Sequence, residues 1–150
     1  MTTGAPLSAE HERAWRTYLR AHALLERQLD AELRSECGLT LKVYDALVQL
    51  SELPERRARM KDLAAALVYS QSGLTRVVDG MERDGLVRRE VDPADRRAMQ
   101  VVLTRAGQRA LERAWPVHLR GVNEYWAQHL TTAQAQAIAK GFGKVRDRLD

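Results

Sequence analysis

SQSGLTRVVDGMERDGLVRREVDPADRRAMQVVLT, residues Ser70 to Thr104, is the stretch whose reading decides the fold. Leu74, Val77, Val78 and Met81 fall at i, i+3, i+4 and i+7, which lays one apolar stripe along a helix. The opposite side carries Gln71, Ser72, Thr75 and Arg76. Ser70 is placed to cap the free N–H groups at the helix start, and Gly85 suits the left-handed residue just past its end. The period then shortens to two. Leu86–Val91 and Met99–Leu103 read as short strands, joined by a loop that holds Pro93, Asp95, Arg96 and Arg97. A helix with a polar N-terminal tip followed by an arginine-tipped hairpin suits DNA, the helix in the major groove and the arginines in a neighbouring minor groove.

Working outward, Met60, Leu63, Ala64 and Leu67 mark a short helix with Lys61 and Asp62 exposed, and Leu67–Ser70 is a tight turn into the next one. Short helix, turn and polar-tipped helix make a helix-turn-helix. Glu55–Arg59 reads as a charged connector. Before it, a helix from Thr40 to about Leu53 turns Tyr44, Leu47, Val48 and Leu50 inward and stops at Pro54. Ser8 caps a long helix reaching about Arg34 and ended by Gly38. Its Trp15, Tyr18, Leu19, His22, Leu25, Leu29 and Leu33 advance in steps of three and four. Residues 1–7 read as a disordered lead-in. Downstream, Thr104 or Arg105 opens a helix to about Leu130, with Leu111, Trp115, His118, Val122, Tyr125 and Trp126 on its apolar side and a kink expected near Pro116. Thr131 and Gln134 form a capping box for a last helix carrying Ile138, Phe142, Val145 and Leu149 on one face.

A chain of 150 residues fits a single domain with a real core. Its net charge is +4 and its pI about 9.6, with lysine only at positions 42, 61, 140 and 144. The positive charge is therefore mostly arginine, whose planar fork matches phosphate and guanine. The one cysteine, Cys37, excludes an internal disulfide and a cysteine-based zinc site, and its neighbours Asp30, Glu32 and Glu36 favour an inert thiol. No apolar run approaches the roughly 18 residues of a membrane span, and Met1–Leu7 is too short and polar for a signal peptide. A cytoplasmic protein is expected. His11, His22, His118 and His129 are scattered, no serine or cysteine sits in a nucleophile setting, and there is no glycine-rich phosphate loop. The expectation is no enzyme, no metal and no cofactor.

The terminal helices carry all three tryptophans and Phe142, more apolar surface than a head of residues 40–105 can cover. Pairing of residues 8–36 and 106–150 with their counterparts in a second subunit hides that surface, and the resulting homodimer presents two recognition helices to a palindromic site.

LTLKVYDALVQL (39–50), MKDLAAAL (60–67), SGLTRVVDGMERDGLVR (72–88) and DPADRRAMQVVLTRAG (92–107) together resemble the MarR family of winged helix-turn-helix regulators. The resemblance implies a mainly α fold with a small β-hairpin wing and long N- and C-terminal dimerisation helices. It implies that Ser70, Gln71, Ser72, Thr75 and Arg76 lie at or near the groove-facing surface. Arg97 falls at the wing-tip arginine that enters the minor groove, Asp95 at the acid that orients the wing, and Arg96 at a phosphate contact. Family members are usually homodimeric repressors of nearby genes that leave double-stranded DNA when a small molecule, often an aromatic acid or phenol, enters the crevice between dimerisation helices and reading head. Trp15, Tyr18, His22, Tyr44 and His118 are the candidates for lining it here. One branch of the family senses peroxide through a cysteine in the first helix; Cys37 lies just beyond that helix and does not occupy the position. Two other readings stand beside this one: a winged helix that binds protein, and a repressor that answers to no ligand.

Overall fold

The computed structural model describes residues 6–149, so the first five residues of the expected lead-in lie outside the described part. Helix α1 (Ala9–Cys37) leads to α2 (Leu41–Glu52), strand β1 (Arg57–Arg59), α3 (Met60–Ala66), α4 (Gln71–Arg83), β2 (Val87–Asp92), β3 (Asp95–Leu103), α5 (Arg105–Tyr125) and α6 (Thr132–Leu149). The mainly α fold with a small β wing is as expected.

Short polar residues start the helices. Ser8, Thr40, Ser70 and Thr104 each accept a hydrogen bond from the backbone N–H three residues on, which satisfies one of the orphan donors of a first turn. Thr131 and Gln134 cap each other reciprocally ahead of α6, as their spacing predicts. Thr104 does more than cap. Its hydroxyl reaches the Gly85 carbonyl at 2.7 Å, fastening the start of α5 to the turn that ends α4. Gly107 makes the same junction tight, because a Cβ there would stand on the Leu86 carbonyl oxygen.

The core lies where α2 crosses the other elements. Leu47 and Leu50 meet Leu63 of α3, Leu74, Val78 and Met81 of α4, and Val101 of β3, all fully buried. Each such side chain stabilises the fold by roughly 1.5–3 kcal/mol through removal from water. Leu33 is the one buried residue of α1, and α6 has none.

Three expectations are corrected. The Glu55–Arg59 connector contains a strand: β1 pairs antiparallel with β3, Ala58 opposite Val101, giving a three-stranded sheet in the order β1-β3-β2. Arg-Ala-Arg offers one apolar residue and no readable alternation, so only the partner strand reveals it. The wing loop is shorter than predicted, a two-residue turn at Pro93–Ala94, with Asp95, Arg96 and Arg97 already in β3. Finally, α5 runs on through Pro116 and stops at Tyr125 rather than near Leu130, because Trp126 leaves the helical region at φ −132° and ψ −60°. A short 3-10 turn (Ala127–His129) bridges to α6.

Candidate nucleic-acid interface

The tip of α4 presents Ser70, Gln71, Ser72, Thr75 and Arg76 together on an exposed surface. Their hydrogen-bonding capacity is unevenly available. Ser70 Oγ accepts the Gly73 N–H at 3.1 Å, and the Thr75 hydroxyl donates to the Gln71 carbonyl at 2.8 Å. Ser70 is thus first a helix cap. The side chains of Gln71 and Arg76 have no hydrogen-bond partner among the described residues and keep their polar groups for an outside partner.

At the wing, Asp92 and Asp95 both hold the hairpin, Asp92 through the larger set of partners. Asp92 is only 2% exposed. Its Oδ2 accepts from Arg59 Nε at 2.5 Å and its Oδ1 from the Ala94 N–H at 2.8 Å. One carboxylate therefore closes the Pro93–Ala94 turn and ties it to the residue that precedes α3, joining the wing to the helix-turn-helix. Those backbone and guanidinium donors hold the Asp92 carboxyl below the usual carboxylate range. Asp95 acts more locally, accepting the Arg97 N–H at 3.1 Å. In sequence Asp92 and Asp95 look alike, and burial alone separates them.

The arginines of the head divide into two sets. Arg57 reaches Glu55 and Glu90, Arg59 reaches Asp92, Arg88 reaches Glu90, and Arg89 bridges Asp79 and Glu82 of α4. Arg56, Arg76, Arg83, Arg96, Arg97 and Arg105 are exposed and have no acidic partner within 4 Å among the described residues; of these, Arg76 lies on the polar face of α4 and Arg96 and Arg97 on the wing. Ion pairs near the surface add little stability. Their electrostatic consequence is larger: Arg89 neutralises the acids on α4, and three of the unpaired cations, Arg76, Arg96 and Arg97, stand on the exposed face of α4 and on the wing.

The five aromatic candidates do not share one crevice. Trp15, Tyr18 and His22 stack along the N-terminal half of α1, with ring centroids 5.9 and 5.7 Å apart, and Tyr18 meets Phe142 of α6 at 4.8 Å. Tyr44 and His118 pair instead between α2 and α5, at 4.4 Å, beside a cavity of about 470 Å³ that Trp115 also lines. The reason is length. At about 1.5 Å per residue, α1 runs well past the head, so its first turns meet α6 and only its last turns meet the core. The crevice between α1 and the head does exist, about 720 Å³, but Arg27, Asp30, Lys42, Asp45, Tyr69 and Arg76 are among its walls. Burial, helped by Glu26, pushes the Asp45 carboxyl up to about 6. Cys37 is the last residue of α1 rather than just beyond it; its thiol is raised by burial and then by Glu36, in keeping with an inert residue, and lies half-buried 3.9 Å from the Arg113 carbonyl. No cluster of three or more potential metal ligands occurs among the described residues, and no described helix is long and apolar enough to cross a membrane.

A helix-turn-helix backed by a three-stranded sheet with a projecting, arginine-bearing hairpin defines a winged helix-turn-helix protein. Residues 38–98 match the MarR family. Sco3205, a MarR family transcriptional regulator from Streptomyces coelicolor solved in complex with DNA, superposes with a TM-score of 0.93 at 34% identity, over 100% of this chain and 94% of that one. AbsC, a MarR family regulator of the same organism, gives 0.90 at 34% identity, over 97% and 98%. The transcriptional repressor MprA of Escherichia coli (strain K12) is 26% identical over 113 residues, 75% of this chain but 64% of the relative's own length. The chain belongs to the MarR family of transcriptional regulators.

Proposed function

We propose that this protein is a sequence-specific regulator that binds double-stranded DNA as a homodimer and represses from a palindromic operator. The observation that carries the reading is the division of the arginines, which leaves Arg76, Arg96 and Arg97 unpaired at the two places a winged helix meets DNA. Residues 40–105 form the reading head, and residues 8–36 and 106–150 supply the dimerisation helices. Gln71, Ser72, Thr75 and Arg76 meet base edges or flanking phosphates in the major groove, Arg97 enters the minor groove, and Arg96 holds a phosphate. The DNA-bound state of Sco3205, at 34% identity over the whole chain, supports this assignment.

Arg76→Ala, and to a smaller extent Thr75→Ala, should reduce discrimination between an operator and versions mutated at its centre. A bidentate base contact is worth about 1–3 kcal/mol. Thr75 matters less because its proton already serves the Gln71 carbonyl. Competition binding on a duplex selected by the wild-type chain measures the difference, and unchanged discrimination in Arg76→Ala would remove that residue from the readout. A winged helix that binds protein instead would show weak dependence on salt, whereas DNA affinity falls steeply with it.

Release by a small aromatic molecule is the finer part of the proposal. The Tyr44 hydroxyl and His118 Nδ1 are buried without a hydrogen-bond partner among the described residues, and burial lowers the His118 pKa, which favours the uncharged ring. A phenol or aromatic acid in that cavity would supply the missing partner. In a screen of such compounds read by Trp115 fluorescence, Tyr44→Phe or His118→Ala should weaken the response about 2- to 12-fold, the range for one hydrogen bond, while DNA binding persists. Release requires tighter binding to the free protein than to the operator complex. Equal affinity for both would rule it out.

A further inference from the structure

Helices α3 and α4 end on the same pair of backbone hydrogen bonds. After α4 the Gly85 N–H donates to the Glu82 carbonyl at 3.0 Å and the Leu86 N–H to Met81 at 2.8 Å. After α3 the Val68 N–H donates to Ala65 at 3.1 Å and the Tyr69 N–H to Ala64 at 2.9 Å. This closure forces its central residue into the left-handed region, φ +70° at Gly85 and φ +54° at Val68. Glycine adopts that conformation without a steric penalty. A β-branched side chain is strained there.

The strain is not offset by packing. Val68 is 91% exposed, more than any other large apolar side chain among the described residues. Its neighbour Tyr69 is half-buried against α2, with Lys42 Nζ 5.6 Å over its ring, while Val68 faces solvent alone. A glycine or asparagine would close the same turn at lower cost, so the contribution of the valine lies outside its own chain. Its position says where. Val68 stands two residues before Ser70, the cap of α4, at the same end of the helix as Gln71, Ser72 and Arg76. The hydrogen-bonding groups of Ser70 and Thr75 are partly spent within the helix, which leaves room for reading by an apolar contact.

We infer that Val68 reads sequence by packing on the 5-methyl group of a thymine in the major groove. The inference rests on the DNA-binding reading above. The thymine methyl is the one apolar handle that base pairs offer in that groove. Excluding water from one methyl is worth about 4-fold in affinity.

The test uses the full chain and a duplex that it selects from a random library, with each thymine replaced singly by uracil, which deletes only the methyl. For wild type, uracil at one position per half-site should cost about 4-fold. For Val68→Gly and Val68→Asn that penalty should vanish while the other uracil positions behave as in wild type, and thermal melting should show neither variant to be less stable. A residue serving only the turn would leave the uracil profile untouched. Identical uracil profiles in wild type and Val68→Gly would overturn the inference, as would a loss of affinity in Val68→Gly that is the same on every duplex. Failure of the wild-type chain to select any duplex would overturn the DNA-binding reading itself, and this inference with it.

Discussion

A chain ending before Thr132 should be monomeric or aggregated and should lose affinity for operator duplexes by a factor on the order of 10²–10⁴, the avidity that two linked heads provide. Helix α6 has no buried residue of its own, and Phe142, Val145 and Leu149 are 44%, 52% and 81% exposed. Across a shared groove on α1, Trp15 faces Ile138, Phe142 and Val145 and is 54% exposed. A contiguous apolar surface of that kind marks an association site. Removing one wall of it uncovers the other, which is why aggregation is as informative an outcome as a monomer. Light scattering coupled to gel filtration gives the mass, and a gel-shift titration gives the affinity. A well-behaved truncated dimer that binds DNA normally would place the interface elsewhere.

The second large effect is expected at the wing. Arg97→Ala should weaken binding to all sites that share the same flanking A·T tract, since a narrow minor groove attracts arginine through its negative potential rather than through a unique base pattern. The slope of log affinity against log salt should fall by about two units for the dimer, about one for each of the two charges lost. Asp92→Ala should lower affinity at least as far as Arg97→Ala although it touches no DNA, because it frees the Pro93–Ala94 turn and releases Arg59 together. Asp95→Ala should act in the same direction with a smaller effect, having only the Arg97 N–H to lose. Discrimination at the operator centre should survive in all three, since α4 is held by Leu74, Val78 and Met81 in the core. Affinity measured across a salt series on centre-mutated and flank-mutated duplexes separates the two sites. Unchanged affinity and slope in Arg97→Ala would show that the wing does not meet DNA.

The helices, the helix-turn-helix and the hairpin were legible because each is a local pattern. The stripe Leu74, Val77, Val78 and Met81, the caps Ser8 and Ser70, and the stops Gly38 and Gly85 act within a few residues, so their spacing in the chain is their spacing in space. The exposed polar tip of α4 follows from the same periodicity, as the face opposite the apolar stripe. Other features depend on which distant residues come together. Strand β1 exists only because Ala58 meets Val101, and Asp92 is an anchor rather than a solvated turn acid only because Arg59 closes over it. The split of the five aromatics into two groups follows from the overhang of α1 beyond the head, which its sequence does not encode locally. The arginines are the clearest instance. Composition alone counts them as equivalent positive charges, whereas folding brings carboxylates to Arg57, Arg59, Arg88 and Arg89 and leaves others open, Arg76, Arg96 and Arg97 among them. A charge within about 4 Å of its opposite is largely cancelled as a source of field, so the tertiary structure alone decides which cations remain to attract a phosphate backbone.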